Sequence, residues 1–134
     1  MTRMPPPASK RPLPDDDAQA FVQSTPAVLH ILIALADGES HGYGIMQDVE
    51  GFTNSETKIG PGTLYRSIQR MLVDGLIEEV ALALHDETDD DRRRYYRLTK
   101  KGAAAAKREA RRLAALVEVA RQRGLLAARG GRSQ

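Results

Sequence analysis

Residues 60–75 read GPGTLYRSIQRMLVDG, and this stretch predicts a helix with one apolar face. Pro61 suits the first position of a helix, where its missing N–H is not needed. Four apolar side chains recur at helical spacing and form the inner face: Leu64, Ile68, Met71 and Leu72. Polar side chains are expected on the other side: Thr63, Arg66, Ser67 and Arg70. Asp74-Gly75 is expected to end the helix, because glycine favours the turn that follows a helix.

Two further helices are predicted before residue 60. Thr25 is a good N-cap and Pro26 a good first residue for a helix through the apolar run Ala27–Ala36. That run is apolar on nearly every side, so the helix should be largely buried, but it is too short to span a bilayer. The second helix follows the sequence HGYG at residues 41–44 and stops at Gly51.

The hydrophobic period changes after these helices. Apolar residues alternate with alanines over Val80–Leu84, and alternation returns over Arg92–Leu98, with an acidic turn at residues 86–91. This pattern predicts a β-hairpin with its first strand at Val80–Leu84. The acidic turn lacks the spacing and the glycine of a calcium-binding loop, so we interpret it as a solvated tip and expect no metal.

Thr99 is predicted to cap a last helix that runs from Lys100 to about Leu126. Small and apolar residues form a heptad seam along it at alternating spacings of three and four, ending at Gly124. We expect a dimer interface built from the following residues: Ala103, Ala106, Ala110, Leu113, Leu116, Val117 and Ala120. The alternative is that the seam packs against the helix's own chain.

Composition and charge narrow the function. The 134 residues contain no cysteine, which excludes disulfides and thiolate zinc sites. No secretory signal and no metal-ligand spacing are evident, so we expect a cytoplasmic protein without a cofactor. No nucleophile elbow or Walker-type phosphate loop is present, so we expect no enzyme.

The charge is distributed unevenly along the chain. Residues 100–134 carry 10 basic and 2 acidic side chains, a net charge of +8, whereas residues 1–57 carry 3 basic and 8 acidic side chains, a net charge of −5. Such asymmetry can accompany nucleic-acid binding, although a solvated basic helix explains it equally well.

The order helix, helix, helix, hairpin is that of a winged helix-turn-helix domain. The predicted fold class is therefore mainly α with a small β-hairpin, followed by a long C-terminal dimerisation helix. The expected divisions are a disordered Pro-rich tail over residues 1–20, the DNA-binding domain over 21–98, the dimerisation helix over 99–126 and a flexible tail over 127–134. Asp15–Asp17 are expected to cap a short helical turn through Phe21 and Val22.

In this arrangement the third helix would lie in the major groove of DNA. Thr63, Arg66 and Arg70 have side chains that can read base edges, and the Gly62 N–H can meet a phosphate at the helix N-terminus. The wing would contribute three arginines to the backbone or minor groove: Arg92, Arg93 and Arg94. Alternatively, these arginines neutralise the acidic turn beside them.

Several motifs together resemble the PadR family of transcriptional regulators. They are Leu29–Gly38, HGYGI at 41–45, GPGTLY at 60–65, GLI at 75–77 and RRYYRLTKKG at 93–102. The resemblance covers about residues 25–120. It implies a homodimeric repressor that binds an inverted-repeat operator, dimerises through C-terminal helices and responds to phenolic acids or hydrophobic drugs.

The resemblance also assigns roles to particular residues. It places Thr63, Tyr65 and Arg66 where the family's recognition helix meets DNA, and Tyr43 where a backbone contact is expected. Wing-strand contacts are implied for Arg93 and Tyr95. Some members build a flat aromatic drug pocket around Trp, but this chain has no Trp, so that mode of binding is not expected.

The sequence therefore leads to one hypothesis and one alternative. The hypothesis is a dimeric, sequence-specific regulator of transcription that binds double-stranded DNA, and a repressor released by a small hydrophobic or aromatic effector. The alternative is a winged-helix adaptor that docks another protein and binds no specific DNA.

Overall fold

The structure is a computed structural model that describes residues 15–80 and 94–127. Within these ranges the elements are α1 (Asp15–Ser24), α2 (Pro26–Leu35), β1 (Ser40–His41), α3 (Gly42–Phe52), α4 (Pro61–Val73), β2 (Ile77–Glu79), β3 (Tyr95–Leu98) and α5 (Lys100–Gln122). The predicted class, mainly helical with a small sheet and a long C-terminal helix, is confirmed. In the part of the chain described, every helix is too short or too polar to cross a membrane.

The core is built around α2. Its side chains Val28, Ile31 and Leu32 are fully buried, and the helix packs against α1, α3, α4, α5 and β3. Thr25 precedes it in an extended conformation and Pro26 begins it, as predicted. The predicted inner face of α4 also enters this core, where three of its side chains are fully buried: Leu64, Ile68 and Met71.

Helix α1 corrects the expected tail. Residues 15–20 belong to a ten-residue helix, not to a disordered segment with a short turn. Ala18 and Val22, one turn apart, are buried in the core cluster, so a few well-placed apolar residues hold the helix. Residues 1–14 of the predicted tail lie outside the described residues.

The sheet has three antiparallel strands in the order β1-β3-β2. The predicted first hairpin strand starts too late, because β2 begins at Ile77, which pairs with Leu98. The reason is a tight turn after α4, in which Gly75 has φ +78° and the Leu76 N–H donates to the Met71 carbonyl oxygen at 2.9 Å. Val80, just after β2, still hydrogen-bonds to β3, since its N–H donates to the Tyr95 carbonyl oxygen at 2.8 Å. The rest of the predicted strand and the acidic turn lie within residues 81–93, outside the described ranges.

Helix α5 starts as predicted and ends earlier. The Thr99 side chain caps it by accepting a hydrogen bond from the Gly102 N–H at 3.0 Å. Gly124 has φ +86°, and the Leu125 N–H closes the end by donating to the Ala120 carbonyl oxygen at 2.9 Å. Gly124 therefore terminates the helix and is not part of the seam, so the predicted end at about Leu126 is wrong.

Candidate nucleic-acid interface

The first two turns of α4 present an exposed polar face. Gly60 is the N-cap and Pro61 the first residue, and the side chains of Thr63, Tyr65 and Arg66 that follow are exposed. The Arg66 Nη2 and the Thr63 Oγ1 lie 3.5 Å apart, at the limit of a hydrogen bond. Since the opposite face of this helix is buried, these side chains project from a fixed support.

Glycine at position 42 lets α3 and α4 approach closely. A β-carbon on Gly42 would stand 2.5 Å from the Tyr65 hydroxyl and 3.2 Å from the Leu64 Cδ2. The Tyr65 side chain thus covers the start of α3. The next residue, Tyr43, is 58% exposed, and its hydroxyl accepts a hydrogen bond from the Gln47 Nε2 at 3.3 Å. The structure therefore brings the predicted residues Tyr43 and Tyr65 to adjoining helix starts.

His41 is a site residue that sequence reasoning missed. Its Nδ1 accepts a hydrogen bond from the Gly44 N–H at 3.1 Å and so caps α3. Its ring also meets the Tyr95 ring edge to face, with centroids 5.2 Å apart, and the two residues pair between β1 and β3. N-cap preferences favour Ser, Thr, Asp and Asn, so the position of His41 before GYG gave no clear signal. Tyr95, a predicted wing contact, is half-buried on this histidine.

The described part of the wing carries two surface ion pairs. The Arg94 Nη1 lies 3.3 Å from the Glu79 Oε2, and the Arg97 Nε lies 2.7 Å from the Glu78 Oε2. The four side chains are between 39% and 67% exposed, and such pairs contribute little. A phosphate can therefore compete for Arg94. The predicted contacts Arg92 and Arg93 lie outside the described residues.

Tyr96 anchors the wing to the core. It is 3% exposed and lies beside Tyr95 on β3, on the face that points inward. Burial raises the pKa of its hydroxyl, and the Glu79 carboxylate adds to the rise. An uncharged phenol at this position suits a structural role, so the two neighbouring tyrosines differ in what they can contribute to a site.

The polar face of α4 is narrower than the sequence pattern predicts. Ser67, expected on the outer side, is buried, because the core reaches around the helix at its middle. Arg70 is turned toward its own chain: its Nε donates to the Asp74 Oδ2 at 2.8 Å, and its guanidinium lies 5.4 Å from the centre of the Phe21 ring. The structure therefore groups Thr63, Tyr65 and Arg66 and separates Arg70 from them.

The predicted dimer seam on α5 lies beside the face that packs on the chain. Gly102, Ala105 and Glu109 are buried, and each precedes a seam residue by one position. The first seam residues, Ala103 and Ala106, are half-buried. Further along, large apolar side chains are exposed, at 56%, 42% and 44%: Leu116, Val117 and Val119. The N-terminal half of α5 is thus a core helix, and its C-terminal half presents an open apolar face.

An ion pair between a buried carboxylate and a partly exposed guanidinium lies where α5 leaves the core. The Glu109 carboxylate is 3% exposed and receives two hydrogen bonds from Arg112, at 2.9 Å from Nε and 2.6 Å from Nη2. The Arg112 hydrogen bond lowers the pKa of Glu109 against the opposing effect of burial. Glu109 is therefore charged, and its charge is neutralised within one helical turn. Among the described residues, no cluster of His, Asp and Glu is arranged to hold a metal ion.

Three helices, a small antiparallel sheet and an exposed helix start beside the wing strand define a winged helix-turn-helix protein. The sequence model of the "Transcriptional regulator PadR-like family" matches residues 28–108, more than half of the chain. The chain belongs to this family of DNA-binding transcriptional regulators, as the sequence motifs predicted.

Solved structures agree with this fold. A transcriptional regulator from Clostridium thermocellum is similar with 25% identity and a TM-score of 0.60, covering 77% of this chain and 96% of that one. A PadR family transcription regulator from Clostridium difficile has 23% identity and a TM-score of 0.57, covering 71% and 94%. The circadian clock associated protein Pex from Anabaena has 22% identity and a TM-score of 0.53, covering 80% and 97%. A search of curated protein sequences finds no match.

Proposed function

We propose that the protein is a homodimeric repressor that inserts α4 into the major groove of an inverted-repeat operator and is released by a small effector. The observation that carries this proposal is the exposed start of α4. Thr63, Tyr65 and Arg66 project from a helix whose other face is fully buried. Arginine can pair with guanine through two hydrogen bonds, and threonine can contact a thymine methyl group. The Gly62 N–H lies in the first turn, where a phosphate oxygen is favoured.

Residues outside α4 would hold the duplex in register. Tyr43 is exposed beside Tyr65 and can donate its hydroxyl to a phosphate. On the wing, Arg94 can exchange its surface ion pair with Glu79 for a phosphate. We extend this role to Arg92, Arg93 and Tyr95 on the basis of the sequence motif. Contacts of this kind set orientation, whereas the α4 side chains supply sequence preference.

The dimer is supported by exposed apolar surface on three helices. The C-terminal half of α5 exposes Leu116 and Val117. Across the fold, Ile33 of α2 and Phe52 of α3 are 44% and 42% exposed, and the Phe52 ring stacks on His30 with centroids 6.3 Å apart. We propose that the α5 seam pairs with its counterpart and that the end of α5 covers the partner's α2–α3 surface. Two recognition helices would then reach half-sites about one DNA turn apart, roughly 34 Å.

Release by an effector is the part of the proposal that rests on family resemblance. The open apolar face of α5 favours a small hydrophobic or aromatic molecule over a sugar or a nucleotide. The chain has no Trp, so a flat ring would have to bind between aliphatic side chains. A panel of phenolic acids and hydrophobic drugs, added to a preformed DNA complex, tests this step: release by at least one compound is expected, and no release by any would remove effector control.

A gel shift tests the central proposal. The probe is duplex DNA from around the protein's own gene, at a stated salt concentration, with and without cellular extract. We expect a specific complex at or below micromolar dimer that competitor DNA of unrelated sequence does not displace. No specific complex under either condition would overturn the proposal.

Salt dependence separates the regulator from the adaptor alternative. Affinity of a regulator for duplex DNA should fall steeply as salt rises, because phosphate contacts release counterions. An adaptor that docks another protein should show no sequence-specific DNA binding at any salt concentration. The slope of the same titration gives the number of phosphate contacts in the wild-type complex.

A further inference from the structure

Arg70 lies between two fixed groups near the end of α4. Its Nε donates to the Asp74 Oδ2 at 2.8 Å, and its guanidinium carbon lies 5.4 Å from the centre of the Phe21 ring. The arginine side chain is 31% exposed, whereas the Asp74 side chain is fully buried. A planar guanidinium suits this position, since it can stack on a ring and donate in its own plane at the same time.

Arg70 is the cation paired with the buried Asp74 carboxylate. Asp74 is the C-cap residue of α4, and its backbone N–H donates to the Arg70 carbonyl oxygen at 2.9 Å. Its second carboxylate oxygen, Oδ1, is buried without a hydrogen-bond partner among the described residues. A buried carboxylate that loses its cation is strongly destabilised. Moving Arg70 out to a phosphate would therefore leave this carboxylate uncompensated.

The helix that carries Phe21, α1, is itself fixed to the core and to α5. In this helix, Ala18 and Val22 are buried in the core. The Gln19 Nε2 of the same helix donates to the Ala105 carbonyl oxygen of α5 at 3.2 Å. The ring therefore lies on a helix that is fastened to α5, and this helix precedes the residues that the family model matches.

We propose that Arg70 is a positioning residue for the recognition helix and not a DNA contact: with Phe21 and Asp74 it fastens the C-terminal end of α4 to α1 and thereby sets how the exposed start of α4 meets DNA. This inference rests on the proposed DNA-binding role of α4. It assigns a part in operator binding to α1, which precedes the residues that the family model matches.

The variant Asp74→Asn separates positioning from DNA contact by the sign of its effect. If Arg70 positions α4, the weakened pair should reduce operator affinity by about tenfold, with an unchanged slope of log affinity against log salt. If Asp74 instead competes with DNA for Arg70, releasing the arginine should tighten binding. Arg70→Ala should likewise leave the slope unchanged, whereas loss of a phosphate contact would reduce it by about one. Tighter binding by Asp74→Asn, or a reduced slope for Arg70→Ala, would overturn the inference.

Phe21→Leu is the matched variant that leaves the ion pair in place. It keeps apolar volume on α1 and removes the aromatic face, so we expect weaker operator binding in the same direction as Asp74→Asn and with the wild-type salt slope. If circular dichroism shows that Asp74→Asn does not fold, the operator affinity of Phe21→Leu tests whether Arg70 positions α4. Operator affinity equal to that of the wild type in a folded Phe21→Leu protein would overturn the inference.

A readout that needs no DNA distinguishes failure of this inference from failure of the proposed function. The Arg70 Nε–H group, bonded to a buried carboxylate, should give a slowly exchanging NMR signal that Asp74→Asn removes. A rapidly exchanging Arg70 Nε–H in the wild type would overturn the inference even if the operator binds. A slowly exchanging Arg70 Nε–H signal in a protein that binds no DNA would support the Arg70–Asp74 contact and would contradict the proposed function.

Discussion

Gly102 of α5 lies against the backbone carbonyl of Leu76 so closely that a β-carbon on Gly102 would overlap the carbonyl oxygen. The Thr99 hydroxyl adds to this joint, since it donates to the Gly75 carbonyl oxygen at 2.5 Å. The Thr99 N–H donates to the Leu76 carbonyl oxygen at 3.1 Å. The start of the long helix is therefore fixed directly to the turn that ends α4.

Gly102→Ala should destabilise the protein although alanine favours helices. We expect the free energy of unfolding to fall by about 1–3 kcal/mol, the usual cost of overpacking. Denaturant unfolding followed by circular dichroism measures this. Gly51→Ala is the matched control, because Gly51 is also helical and has open space around it. It should gain up to about 1 kcal/mol, and equal losses for both variants would contradict the close contact.

Thr99→Val should weaken the same joint by removing a hydroxyl that accepts from Gly102 and donates to Gly75. Loss of an N-cap side chain lowers the free energy of unfolding by about 0.5–2 kcal/mol. Thr99→Ser retains the hydroxyl and should recover most of this loss in the same denaturant titration. Equal midpoints for the two variants would show that the hydroxyl does not hold the helix start.

Acid stability should depend on Glu109. Because the Arg112 hydrogen bond holds the pKa of Glu109 below its ordinary value of 4.5 in the folded chain, the unfolded chain binds this proton more readily. The stabilisation from this group is therefore present above pH 4.5 and is lost as the pH falls through the folded pKa. Glu109→Gln should flatten the pH profile of unfolding in that acid range.

A matched control for this profile is Glu118→Gln. Glu118 pairs with Arg121 at the same spacing, but its side chain is 44% exposed, and it should change the acid limb less than Glu109→Gln. Parallel profiles for the wild type and Glu109→Gln below pH 4.5 would contradict the expectation for Glu109.

Arg66→Ala should test base reading by α4. If Arg66 contacts a base, the substitution costs about 1–3 kcal/mol of operator binding and relaxes preference at one base pair. Binding of an operator library measures both. Arg97→Ala, which removes an exposed charge paired with Glu78 on the wing, is the control for general loss of charge. A uniform loss over all sequences would make Arg66 a phosphate contact.

Val117→Glu should separate the proposed dimer. A charge in the apolar seam would be buried without a partner on association, so sedimentation analysis should show a shift from dimer to monomer. Ala115→Glu adds the same charge on the opposite side of α5 and should leave the dimer intact. A dimeric Val117→Glu protein would place the interface elsewhere.

Local sequence signals predicted most helices and missed the elements that depend on distant contacts. Thr25-Pro26, Gly60-Pro61 and Thr99 mark helix starts through interactions within a few residues, and the structure begins helices at each of them. Strand β1 has two residues and exists through its pairing with β3. No periodicity can reveal a strand of that length, because the partner is more than fifty positions away.

The candidate nucleic-acid interface also contains features that local sequence signals predict and features that depend on distant contacts. Arg66 and Arg70 occupy equivalent places in the polar pattern of α4, so the sequence assigns them the same role. Their surroundings differ through Phe21 on another helix and through the burial of Asp74. Position in the helical pattern predicts which side chains of α4 point away from the core. Contacts with other elements then decide which of these side chains stay exposed and able to bind a ligand.

The joint between Gly102 and Leu76 makes α5 a lever with its pivot at the end of α4. A helix of 23 residues is about 34 Å long. A small change in the angle at which α5 leaves Leu76 therefore moves the far end of α5 a large distance across the proposed dimer. Two residues, Asp74 and Gly75, separate the end of α4 from Leu76, so little chain is available to absorb this change. Substitutions that bend α5 and insertions that lengthen the operator should therefore compensate for each other, as paired suppressors in a genetic screen.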